Sequence, residues 1–110
     1  KTITLYTSFL MVLFFSVHTF AAGNHLTEAI QPAEAAVKSA EGKSIAQHAE
    51  EAKTHANAAK NEKTQATTSG SHLDAGIRSL DEAIKEGNLG AIDSARKAAE
   101  QAITHLKQAA

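Results

Sequence analysis

The sequence has no cysteine and no tryptophan, one proline and one methionine. Without thiols there can be no disulfide framework, thiolate zinc site, haem attached through cysteine or cysteine nucleophile. Aromatics are scarce and confined: Tyr6, Phe9, Phe14, Phe15 and Phe20, with Met11, all lie in the first twenty of 110 positions. Beyond them no aromatic face is left on which a base could stack, the usual basis of single-strand nucleic-acid binding. An excess of charge is lacking too. The 11 Lys and Arg stand against 12 Asp and Glu, so no basic field gathers phosphate and nucleic acid is not an expected partner. There is no Gly-rich phosphate loop after a strand, no GxSxG elbow and no HExxH pair. Adjacent carboxylates such as Glu50-Glu51 and Asp81-Glu82 point to different helix faces and read as solvated surface. An enzyme is therefore the least expected class. The length admits one domain at most.

Residues 1–22 read as an address. Lys1 is the only charge before Glu28, Phe9 to Val17 is rich in Leu, Phe and Val, and small residues follow at Ala21-Ala22-Gly23. A charged start, a short apolar middle and a small-residue end are the physics of a secretory signal peptide. The numbering is read as lacking the initiator Met, with cleavage expected at 21–23. An uncleaved anchor would need about 20 apolar residues, and Thr4, Thr7, Ser8, Ser16, His18 and Thr19 interrupt the run. The chain is thus expected to be exported to a periplasm, away from the membrane once its leader is cut.

From Ala21 onward alanine fills 23 of 90 places, which raises helix propensity throughout. Apolar positions recur by threes and fours: Leu26, Ile30, Ala33, Val37, Ala40; Ile45, Ala49, Ala52, Ala56, Ala59; Leu73, Ile77, Leu80, Ile84; Ile92, Ala95, Ala99, Ala102, Leu106. Each series lines one stripe of a helix. Glu41-Gly42-Lys43-Ser44 predicts a helix end with Ser44 as the next N-cap. Asn61 to Gly70 reads as a polar linker, Ser71 and Asp74 as a capping box, and Gly87-Asn88-Leu89-Gly90 as the last turn. Pro32 should kink the first helix or delay its start.

The two halves match. HLTEAIQPAEAAVK (His25–Lys38) aligns without gaps to HLDAGIRSLDEAIK (His72–Lys85), and HAEEAKTHANAA (His48–Ala59) to AAEQAITHLKQA (Ala98–Ala109). The unit is a helical hairpin, about 24–60 and again about 71–109. Two such hairpins predict an all-α, up-down-up-down four-helix bundle over 23–110. Its core should be thin and its stability modest, because an Ala methyl contributes far less than the roughly 1.5–3 kcal/mol of a buried Leu or Ile. A monomer is expected, and no protein partner can be read from the residues.

Chemistry concentrates in the histidines that follow the leader: His25, His48, His55, His72 and His105. They flank the apolar stripes and avoid core positions. His48-x-x-Glu51-x-x-x-His55 puts three possible ligands on one face of a helix, and His48 and His55 alone stand roughly 10 Å apart. Antiparallel helices would carry His25, His55, His72 and His105 to one end of the bundle. Counted from Asn88, His72 and His105 are level; counted from Gly42, His55 falls about a turn below His25. An imidazole layer there would suit Cu²⁺, Zn²⁺ or Ni²⁺.

Hairpins opening with His-Leu, the HAEEAKTHANAA stretch and the HLDAGIRSLDEAIKEGNLG…AAEQAITHLKQA half resemble the small metal-binding protein family of exported, His-rich bundles, over about residues 24–109. The resemblance implies a periplasmic four-helix bundle that scavenges or buffers divalent cations, copper especially, without catalysis. It places ligands at His25, His48, His55, His72 and His105, to which the helical spacing adds Glu51, with water, as a supplementary ligand. Where the family carries further histidines this chain has Pro32, Ser39, Ala75, Ser79, Glu86, Ala91 and Ala98, so it should hold one or two ions where a fuller member holds several. The runner-up expectation is a structural or interaction bundle that has lost most of its metal capacity. Only neutral imidazole coordinates, so binding should weaken on acidification.

Overall fold

A computed structural model describes residues 25–62 and 67–109, apart from the side chains of 62 and 67–69. The expected leader, its cleavage site and positions 63–66 of the expected linker lie outside them. Four helices follow one another: α1 (His25–Lys38), α2 (Gly42–Glu62), α3 (Thr67–Asn88) and α4 (Ile92–Ala109). There is no strand among the described residues. Short connections of three residues, 39–41 and 89–91, force α1 against α2 and α3 against α4 as antiparallel neighbours. Helix α2 also packs on α3, and α1 closes the ring against α4. The result is the up-down-up-down four-helix bundle.

Alanine decides how tightly it closes. Among the described residues the buried hydrophobic side chains are 14 alanines and five larger aliphatic ones, Leu26, Ile45, Leu73, Leu80 and Leu106, and the Pro32 ring is buried as well. Side chains this short let helices approach until backbone nearly meets backbone, and dispersion across those close faces supplements the small transfer term of each methyl. At the turn end a Cβ added to Gly42 would stand 2.4 Å from the Gly87 carbonyl oxygen, and one on Gly87 2.5 Å from that of Gly42. Two glycines thus face each other where α2 begins and α3 ends. Across the surface, Lys53 pairs with Asp81 and Lys60 with Asp74, both joining α2 to α3.

Several sequence expectations shift. The first turn lies earlier than Gly42–Ser44: α2 already begins at Gly42, its first bond running from Ile45 N–H to the Glu41 carbonyl at 3.0 Å. Ser44 is therefore inside the helix, and Glu41 occupies the capping place. Helix α1 ends without glycine. Ser39 donates its hydroxyl to the Ala35 carbonyl at 2.9 Å, while Arg96 Nη2 of α4 donates to the Ser39 carbonyl at 2.9 Å. The stretch 61–70 is helical at both ends, since α2 runs through Glu62 and α3 starts at Thr67. Ser71 is thus four residues into α3 and caps nothing, because Thr67 to Gly70 extend the helix beyond its apolar stripe. Pro32 does not delay α1, which starts seven residues before it, and its ring is buried in the core. What the proline removes is the N–H that would bond the Glu28 carbonyl. The last turn falls where the glycines put it. Gly90 takes φ +81°, Ala91 N–H bonds the Glu86 carbonyl and Gly90 N–H that of Gly87, the pattern of a Schellman C-cap.

Candidate metal centre

The end of the bundle opposite the two short turns gathers four of the histidines. His25 opens α1, and His55 lies on the later half of α2. Their rings stack with centroids 6.2 Å apart. The turn explains why they are level: His25 is 15 residues before Ala40 and His55 is 15 after it. The one-turn offset expected from a turn at Gly42 disappears because the chain reverses two residues earlier. In the second hairpin His72 and His105 stack with centroids 6.3 Å apart.

Glu28 joins the first pair in a group of three that could hold a metal ion. It sits one turn into α1, at i+3 from His25, so both project from one face. Its Oε1 lies 3.2 Å from His25 Nδ1 and 3.5 Å from His55 Nδ1. The donor atoms of His25, Glu28 and His55 all fall within 4.8 Å of one another. Side-chain exposures of 32%, 15% and 27% leave all three partly open to solvent. Two imidazole nitrogens and a carboxylate oxygen suit Zn²⁺, Cu²⁺ or Ni²⁺, with water free to complete the coordination. The ring spacing fits as well. At Zn–N bonds of 2.0–2.1 Å, two imidazoles sharing an ion have centroids roughly 5.2 Å apart at the tetrahedral angle and 6.4 Å when opposed. A closure of about 1 Å would then seat a tetrahedral ion.

The chain's other expected ligands fall elsewhere. His48 and Glu51 enter no group of three ligands among the described residues. His48 lies seven residues before His55 on α2, and counting around Ala40 sets it level with Pro32, which has no donor to offer. The imidazoles form two pairs, one in each hairpin, and the three-ligand group does not extend to the second. Glu28 is the residue that sequence reasoning passed over. The signal was present, for His25-x-x-Glu28 repeats the spacing of His48-x-x-Glu51. Only the neighbouring helix could show which of the two carboxylates meets a second imidazole.

A family model described as small metal-binding protein matches residues 1–109. The chain belongs to this family. No curated protein and no solved structure matches it. Membership and the triad agree on metal ions as what this small metal-binding protein takes up. None of its helices among the described residues is long and apolar enough to cross a membrane.

Proposed function

We propose that this member of the small metal-binding protein family is exported to a periplasm, where it sequesters or buffers divalent transition metals, copper foremost. The observation that carries the reading is the meeting of His25, Glu28 and His55 across α1 and α2, with their donor atoms within 4.8 Å. Copper is favoured because affinity at such nitrogen and oxygen sites follows the Irving–Williams order, in which Cu²⁺ stands above Ni²⁺ and Zn²⁺. Export is supported by the leader pattern of residues 1–22. Storage suits the site better than catalysis. Its three ligands come from one hairpin, and no polar or charged residue is buried among the described residues.

Titrating Cu²⁺ into the chelator-stripped protein by calorimetry tests the metal reading. One saturable phase should vanish in a Glu28→Gln, His55→Ala double variant. An absence of saturable heat in the wild type, or an unchanged phase in the variant, would return the protein to the interaction-bundle reading. Fractionating the host and determining the N-terminus of the accumulated protein tests export.

A further inference from the structure

The duplication isolates what Glu28 contributes. His25 and His55 stack at 6.2 Å with 25° between ring planes, and His72 and His105 at 6.3 Å with 28°. Glu28 aligns with Ala75, likewise three residues after the first histidine. A ring pair of this geometry therefore forms without the carboxylate, so the contact of Glu28 with both rings bears on what the pair takes up. Glu28 brings an anionic oxygen 3.2 Å from His25 Nδ1 and 3.5 Å from His55 Nδ1, and it is the most buried of the three side chains. Its attraction for a dication is twice that for a monocation at the same distance, and partial burial reduces the screening of that difference. A second observation concerns soft ligands. From Ala21 to Ala110 the sequence has neither cysteine nor methionine, so these residues bring no sulfur to copper. Thiolate and thioether select Cu⁺, whereas imidazole and carboxylate suit the harder dication.

We propose that the triad discriminates between the oxidation states of copper: it holds Cu²⁺ and lets copper go on reduction to Cu⁺, with Glu28 setting the difference. The proposal rests on the metal reading above and adds a route of release. The step is a one-electron reduction. Two bound Cu²⁺ ions take one electron each from one ene-diol reductant such as ascorbate, which becomes dehydroascorbate. Each resulting Cu⁺ keeps two neutral imidazoles, forfeits half of the carboxylate's attraction, and leaves for an acceptor that offers sulfur. Zn²⁺ has no redox chemistry and stays on the same ligands under the same reductant.

Competition titrations of the chelator-stripped full chain against coloured indicators test this, for Cu²⁺ in air and for Cu⁺ under argon with ascorbate. The wild type should hold Cu⁺ at least about tenfold more weakly than Cu²⁺, the low end of what a lost supporting group costs a metal site. Glu28→Gln should weaken Cu²⁺ about 10–100-fold and leave Cu⁺ almost unchanged. The reduction potential of the bound couple then rises by about 60–120 mV, at about 59 mV per tenfold for one electron. Ascorbate should free copper from the wild type and leave Zn²⁺ bound, a comparison that needs no variant. Equal affinities for the two copper ions, copper retained through reduction, or a folded Glu28→Gln variant that weakens both ions alike would overturn the proposal and leave the metal reading standing. A wild type without saturable Cu²⁺ binding would remove both.

Discussion

Replacing Gly87 with alanine sets two opposed terms against each other at the turn end of the bundle. Helix propensity favours the change by up to about 0.8–1 kcal/mol, less so near a helix end. Packing opposes it. The new methyl would stand 2.5 Å from the Gly42 carbonyl oxygen, 3.1 Å from Ala46 N and 3.2 Å from Ala46 Cβ. The first two neighbours are backbone, so no side chain can rotate aside. The first turn of α2 must retreat by about 1 Å to restore ordinary contact, and a gap of that size forfeits a quarter to a half of each dispersion well along the face. Overpacking of this kind costs about 1–3 kcal/mol or more, and Ile45 and Ala46, both buried, lie in the turn that moves. The net expectation is a loss of about 1–2 kcal/mol, which at roughly 4–8 °C per kcal/mol for a domain of this size lowers Tm by about 5–15 °C. Urea unfolding followed by circular dichroism measures it. A Gly90→Ala variant separates close approach from backbone strain: Gly90 has nothing within 4 Å of a built Cβ but holds φ +81°, so its cost should be about 1–2 kcal/mol of left-handed strain. If Gly87→Ala proves as stable as the wild type or more so, helix propensity outweighs packing and the account of the closely packed α2–α3 faces is wrong.

Other outcomes follow from the same contacts. Glu28→Gln, which keeps the shape and removes the charge, should weaken metal binding at hairpin one about 10–100-fold by calorimetry; an unchanged Kd would exclude the carboxylate as a ligand. Free metal at 100 times Kd should stabilise the fold by about 2.7 kcal/mol through mass action, seen as a rise in Tm that a chelator reverses and that His25→Ala reduces. Arg96→Met removes the donor to the Ser39 carbonyl at the end of α1 and should cost about 1–3 kcal/mol in urea unfolding; no loss would mean that water replaces the guanidinium there without penalty. Lys53→Ala breaks an exposed pair that joins α2 to α3 through Asp81 and should change stability by less than about 1 kcal/mol; a larger fall would show that solvent does not screen the pair.

Periodicity and duplication were enough to decide the architecture. Apolar residues stepping by threes and fours leave a helix one face to bury, and short polar breaks leave it only an antiparallel neighbour to bury it against. The level pairing of His72 and His105 could be counted from the Gly87–Gly90 turn, because glycine at φ +81° marks a helix end that few other residues tolerate. The first turn carries no such mark. Ser39, Ala40 and Glu41 close α1 through the Ser39 hydroxyl and through Arg96, which is 57 residues away in sequence, and no local pattern announces a cap supplied from another helix. The two residues by which that turn moved brought His25 level with His55.

Metal-binding character, four helices and the matching halves were thus properties of the residues in order, since residue type fixes donor chemistry and local spacing fixes the helical face. Which carboxylate joins which imidazoles was not. His-x-x-Glu occurs at 25–28 and at 48–51 with equal local credentials, and a ligand set needs donors within a few ångströms across two helices, a distance set by turn position and by how closely alanine and glycine faces approach. Packing selected Glu28, left Glu51 outside the triad, and separated four histidines into one pair with a carboxylate and one without.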